Sequence, residues 1–199
     1  MARASSTARG RPREFDAAKA LDAAVQVFWQ KGYEGASLDD LTRAMGINRP
    51  SMYAAFGDKQ ELFRKALDRY AEGPAGYVRE ALQEKTARAV VEKLLLRTVA
   101  AVACRGNPHG CLLVQGAVST GDSSICGELA ARRELMVTWL RRRFKRAQSE
   151  GDLPRHADTA ALARYVATIL HGLSVQASSG ASRKELEKVV KVTMKAWPG

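Results

Sequence analysis

The side chains of this 199-residue chain best suited to covalent or metal chemistry are its three cysteines and three histidines. Two of them share the segment Pro108-His109-Gly110-Cys111-Leu112-Leu113, and Cys104 and Cys126 fall near loops on either side of it. A short helix is expected to start near Cys111. A helix N-terminus favours the thiolate, so Cys111 is the candidate reactive thiol, the alternative being a small buried side chain. A His-x-Cys pair without clear partners falls short of a tetrahedral site, so no metal and no cofactor is expected. His171 lies beside an apolar stripe and reads as a satisfied core or interface residue, with a pocket-facing position as the alternative. The sequence holds no G-x-S-x-G, Walker loop, dinucleotide fingerprint or H-E-x-x-H, and an enzyme is not expected.

Arginine offers the other chemistry. The tail Arg9-Gly10-Arg11-Pro12-Arg13 is similar to the core of an AT-hook. Arginines favour narrow A·T-rich minor grooves, and Gly10 and Pro12 keep the backbone slim, so Arg11 and Arg13 are candidate DNA contacts. The alternative is a solvated leader. A second cluster, Arg132, Arg133, Arg141, Arg142, Arg143, Lys145 and Arg146, lies on one long helix. Such a run reads as a solvated face, with binding of an acidic ligand or DNA as the alternative.

The elements that must position these groups are most sharply defined over residues 37–63. Ser37 can cap a helix whose apolar side is Leu38, Leu41 and Met45, with Asp40 three residues on. Met45-Gly46-Ile47 makes a tight turn. Asn48 can cap a second helix in which Pro50 is tolerated in the first turn, with Met52, Tyr53 and Phe56 as its inward face. Asp58 and Glu61 form a capping box opening a third. Two short helices joined by a glycine turn read as a helix-turn-helix, whose second helix enters the DNA major groove. Upstream, Leu21, Ala24, Val25, Phe28 and Trp29 give a helix over Asp16 to Lys31 one apolar face, and Gly32 ends it.

From about Asp16 to Phe63, including Phe-Trp-Gln-Lys-Gly-Tyr at 28–33 and Ser-Met-Tyr-Ala-Ala-Phe-Gly-Asp-Lys at 51–59, the chain resembles the head of a tetracycline-repressor (TetR) family regulator. The resemblance implies that Arg49, Pro50 and Ser51 sit at the groove-facing start of the recognition helix. The planar fork of Arg49 suits guanine O6 and N7. The Tyr53 hydroxyl suits a phosphate, as do Ser37 and Lys59 at helix N-termini, where free amides and the dipole attract anions. Ser37 can equally be a plain cap. Ala54 and Ala55 stand where many members carry an aromatic or histidine, so no contact is carried over there.

Length and charge bound the rest. The chain can bury roughly 70% of its unfolded surface. No apolar run approaches the ~18 residues of a membrane span. The N-terminus lacks the apolar stretch of a secretory signal, and three cysteines give no disulfide framework, so a cytoplasmic location is expected. The formal net charge is +11. Residues 1–72 carry 12 Lys and Arg against 10 Asp and Glu, whereas residues 73–199 carry 20 against 11. The bulk charge therefore does not mark the DNA-reading head.

The expected architecture is all-α. A basic arm over 1–13 precedes a three-helix helix-turn-helix domain over 14–59; a linker helix and a helical regulatory and dimerisation domain fill 60–199. Gly73-Pro74 interrupts the linker helix. Ser119–Gly127, small and polar, reads as a loop before a long helix from Glu128. The stripes Leu162, Val166, Ile169, Leu173 and Leu186, Val190, Met194 are candidates for a dimer interface, although periodicity alone does not separate that from core. Leu95, Thr98, Val102, Leu113, Met136, Trp139 and Tyr165 are candidate pocket residues, combining apolar walls with a few polar tips. The resemblance implies a homodimeric repressor that binds a palindromic operator in double-stranded DNA and leaves it when a small-molecule effector binds. A thiol-based sensor acting through Cys111 and a non-specific architectural DNA binder are the alternatives.

Overall fold

Asp16 starts the first helix, its carboxylate accepting from the amides of Ala18 at 3.0 Å and Lys19 at 3.1 Å. The computed structural model describes residues 15–104, 106–118 and 121–198. Arg11 and Arg13 lie outside the described residues. Helix α1 (Ala17–Gly35) buries Ala20, Ala24, Val25, Phe28 and Trp29. Gly32, at φ 69° and ψ 179°, breaks it one turn before its end, a conformation that only glycine adopts at little cost.

Helices α2 (Leu38–Met45), α3 (Arg49–Phe56) and α4 (Lys59–Glu72) follow at the expected places. The amide of Gly73 closes α4 on the carbonyl of Arg69, and a turn leads into the short α5 (Tyr77–Leu82). Then come α6 (Ala87–Val102), α7 (Leu112–Val118), α8 (Ser123–Ser149), α9 (Thr159–Ser178) and α10 (Arg183–Lys195). Among the described residues there is no strand, and no helix is long and apolar enough to cross a membrane.

Helix α8 begins earlier than the composition suggests. Asp122 caps it by accepting from Ser124 and Ile125, and Ile125 is fully buried, so residues 123–127 are its first turn and not a loop. Its basic face is not uniformly solvated either. Arg143 is 5% exposed and donates to the carbonyls of Glu84 at 2.8 Å and Lys85 at 3.0 Å, pinning α8 to the α5–α6 turn. Arg141, Arg142, Lys145 and Arg146 do face solvent.

Two apolar clusters hold the chain together. One comprises α1 to α4 and takes in Leu112, Ile125 and Leu129, so packing does not stop at residue 59. The other joins α5, α6, α8, α9 and α10. Val166, Leu173, Leu186, Val190 and Met194 are buried inside this second cluster, and Leu162 and Ile169 pack against it. Those five side chains therefore belong to the chain's own core, while Leu162 and Ile169 stay partly open. Helical periodicity reports that a face is buried but not which chain buries it. The exposed apolar side chains of α9 and α10 are instead Tyr165, Val175, Val189 and Val192.

Candidate nucleic-acid interface and effector cavity

The helix-turn-helix is assembled from local bonds. The Ser37 hydroxyl accepts from the Asp40 amide at 3.0 Å, and the Asp40 carboxylate accepts from the Ser37 amide at 3.2 Å, closing the start of α2. Lys31, at 2.8 Å from Asp40, ties that cap to the end of α1; its hydrogen bond and the two from Ser37 hold the Asp40 carboxyl down at about 2. At the other end Gly46 sits at φ 68°, and the Ile47 amide reaches the Thr42 carbonyl at 3.1 Å, the six-residue closure that requires a left-handed residue. The Asn48 side chain then caps α3 by accepting from the Ser51 amide at 2.9 Å.

Met52 and Phe56 anchor α3 in the core. Tyr53, assigned inward by its spacing, points outward and is 47% exposed. Arg49 and Pro50 are exposed and Ser51 is partly so, which puts the start of α3 at the surface. Arg49 gives one guanidinium nitrogen to Asp39 at 2.9 Å. Asp39 lies ten residues back and carries no local signal of this pairing. Ser37 is exposed. Lys59 is partly buried, its ammonium 4.5 Å from the centre of the Tyr33 ring, and burial pushes its pKa down.

A cavity of about 150 Å³ opens where α4, α5, α6, α7, α8 and α9 meet. Thr98, Leu113, Met136 and Trp139 line it. Leu95 and Val102 do not, and Tyr165 is 40% exposed elsewhere on α9. Residues not foreseen there include Tyr70, Tyr77, Arg132, Arg133 and Ser174, and His171 faces the same space. The Thr98 hydroxyl donates its hydrogen to the Leu94 carbonyl at 2.8 Å, so the Tyr77 hydroxyl at 3.0 Å is the donor to Thr98. Burial pushes the Tyr77 phenol up to about 12.

Cys111 is also in this wall, immediately before α7. The Tyr70 hydroxyl donates to its sulfur at 3.4 Å. That bond and the first amides of α7 favour the thiolate, but burial outweighs them and raises the thiol's pKa. The thiolate-stabilising helix end expected from sequence is present; its effect is overridden. Among the described residues no third metal-binding side chain gathers with His109 and Cys111.

Cavity and head share side chains. The Tyr70 ring meets Trp29 of α1 edge-on, centroids 4.9 Å apart, and the Trp29 indole donates to the Gly110 carbonyl at 3.2 Å. Arg132 spans from α8 to Asp68 of α4 at 2.8 Å.

Comparison with known proteins agrees with this arrangement. Residues 20–66 match the model of the bacterial regulatory proteins, tetR family. Over 96% of its length the chain is 35% identical to the HTH-type transcriptional repressor ComR of Escherichia coli (strain K12), covering 92% of that protein. It is 30% identical to the repressor BdcR of the same organism, over 89% of this chain and 86% of the relative. A cysteine mutant of the TetR family transcriptional regulator CifR, solved with 26-bp double-strand operator DNA, superposes with a TM-score of 0.90 at 44% identity, covering 94% of this chain and all of the other. On the head's geometry and on this likeness across nearly its whole length, the chain belongs to the tetR family of bacterial regulatory proteins.

Proposed function

We propose that this DNA-binding regulator acts as a homodimeric repressor, reading a palindromic operator with α3 and releasing it when a small molecule occupies the cavity. One observation carries the reading: Leu67, Tyr70 and Ala71 of α4 form part of the cavity wall, while Leu62, Phe63, Ala66, Leu67 and Tyr70 belong to the head's core. A guest that displaces α4 tilts the head. ComR and BdcR are named as repressors and CifR was solved on operator DNA, which supports the direction of control. Two half-sites roughly 34–36 Å apart give a dimer the specificity that one eight-residue helix lacks. The guest must bind the released spacing more tightly than the operator-bound one, since equal affinity shifts nothing.

Arg49, Pro50, Ser51 and Tyr53 are the proposed groove and phosphate contacts on α3, with Ser37 and Lys59 on the flanking phosphates and Arg11 and Arg13 reaching the minor groove. A second reading rests on Cys111 lining the same cavity: an electrophile entering there meets the sulfur directly. The test is fluorescence anisotropy at fixed salt, comparing DNA from upstream of the protein's own gene with a scrambled duplex. Discrimination of about a thousandfold is the expected result. Equal affinity for every genomic fragment, with steep salt dependence, would leave a non-specific architectural binder. Release by a non-reactive compound that survives Cys111→Ser favours the cavity reading; release by electrophiles that Cys111→Ser abolishes favours the thiol.

A further inference from the structure

The cavity's charges are unbalanced. Arg79, Arg132 and Arg133 contribute to its lining, and no aspartate or glutamate does. Arg132 is neutralised by Asp68 at 2.8 Å and by Glu128 at 2.7 Å. Glu134, next in sequence to Arg133, is held by both terminal nitrogens of Arg164 at 2.8 Å each. Arg133 itself donates to the Leu113 carbonyl at 2.8 Å, and among the described residues no carboxylate pairs with it. Its side chain borders a space walled by the apolar Leu67, Val78, Leu94, Met136, Trp139 and Leu170 and by the uncharged polar groups of Tyr70, Tyr77, Thr98 and Ser174. None of these is a counter-ion, and a guanidinium offers an entering carboxylate two parallel donors.

His171 shares this space. Burial and the positive charges of Arg133 and Arg164 lower its pKa, which keeps the imidazole neutral near pH 7. It can therefore donate or accept one hydrogen bond without adding charge. About 150 Å³ is the volume that takes a single benzene-sized body. Leu135 and Trp139, 48% and 43% exposed, mark the side where the cavity meets solvent.

We infer that the cavity takes a small organic monoanion, a one-ring or short-chain carboxylate, with its apolar body between Leu94, Met136 and Trp139 and its carboxylate on Arg133. This rests on the reading of the cavity as the effector site but is separable from it. The test is titration calorimetry on the full chain without DNA, using benzoate against benzyl alcohol and hexanoate against hexanol. At least one carboxylate binds about tenfold or more tightly than its alcohol, the size of one charge-assisted pairing. Arg133→Gln removes that preference and leaves the alcohol's affinity unchanged, whereas Arg133→Lys keeps part of it. A melting curve of each variant checks that losing the Leu113 bond has not opened the fold. Alcohols that bind as tightly as acids, or a preference that survives Arg133→Gln, overturn the inference and leave the effector reading standing. Carboxylates that bind with the stated preference yet leave operator DNA in place uphold the inference and overturn the effector reading. If neither pair binds, the inference falls, and the effector reading is decided by operator release with other compounds.

Discussion

The two apolar clusters are built differently. In the head, rings meet rings: Phe28 lies 4.9 Å from Phe63, Trp29 4.9 Å from Tyr70 and Tyr33 5.1 Å from Phe63. Helix starts are capped within three residues in both regions, at Asp16, Ser37, Asn48 and Asp58 in the head and at Thr86, Asp158 and Ser182 in the second. The second cluster is mainly aliphatic, with Phe144 packed against Trp197, ring centres 5.3 Å apart. Some of its closures cross the sequence: Asp152 accepts from the Ala87 amide at the start of α6, Arg143 reaches Glu84 and Lys85, and Arg88 reaches the Met194 carbonyl. The head has a long-range staple as well, from Arg69 to Asp22 at 2.7 Å, so the regions differ more in their rings than in their bonds. Interlocked rings suit a rigid reader and aliphatic faces an adjustable core, with the cavity at their border.

The largest effect should come from Phe63→Ala. Phe63 is fully buried between α1, α4 and α7, and truncating such a side chain costs about 3–5 kcal/mol. Phe144→Ala in the second cluster should cost a similar amount. Because the head's cluster includes Leu112, Ile125 and Leu129, both variants should shift one common transition in urea. Two separate transitions, each moved by one variant alone, would show that the clusters unfold independently.

Arg143→Met sharpens the contrast at a lower cost, roughly 1–2 kcal/mol. It strands the Glu84 and Lys85 carbonyls but also removes Nε and Nη1, two buried donors with no partner. The melting temperature should fall while operator affinity well below the transition stays unchanged. A matching loss of DNA affinity would mean that the α5–α6 staple reaches the head.

Gly110→Ala addresses the border itself. At φ 92° an added Cβ would fall 2.7 Å from the Gln115 amide nitrogen and 3.1 Å from the Ser174 carbonyl oxygen. The backbone cost is about 1–2 kcal/mol, and the Gly110 carbonyl would shift under the Trp29 indole. Operator affinity should change more than for Arg143→Met at equal loss of stability. Ser37→Ala should cost about 1 kcal/mol through the lost cap. Ser37→Asn keeps a capping acceptor without setting a second carboxylate 2.7 Å from Asp40, so it should recover stability while operator binding stays weakened by the lost hydroxyl. Recovery of both would reduce Ser37 to a cap.

How far the sequence revealed each region follows the same division. Caps at Ser37, Asn48 and Asp58 and the turn at Gly46 are legible because donor and acceptor lie three to five residues apart. Tyr53 departs from its spacing because a short helix anchored by Met52 and Phe56 leaves its neighbours free to turn outward. In the second region the stripes on α9 and α10 were visible, but not which chain covers them. Leu94 and Leu95 are both fully buried, yet Leu94 lines the cavity and Leu95 does not, a difference of one helical step that only packing decides. Arg143 reads as one more surface arginine until the α5–α6 turn is brought to it. Ser123–Gly127 reads as loop because the same small side chains serve either purpose, and Asp122 with the buried Ile125 makes it helix.

The smallest effect is the dependence of stability on pH, and the two regions should answer in different windows. His171 in the cavity has its pKa lowered from 6.5, so the unfolded chain takes up a proton first. Its contribution is present above about 6.5 and is lost as pH falls below that value through the folded-state pKa. Asp40 in the head is lowered from 3.8 to about 2. Its contribution is complete above about 4 and is lost as pH falls toward 2, when the carboxyl takes a proton and gives up Lys31. Melting temperatures measured from pH 8 to pH 2 should therefore show His171→Gln departing from the parent's slope just below 6.5. Asp40→Asn should run below the parent above pH 4 and converge with it near pH 2. If Asp40→Asn followed the parent throughout, the bond from Lys31 would be solvent-screened to nothing, and the head's rigidity would rest on its rings and backbone caps alone.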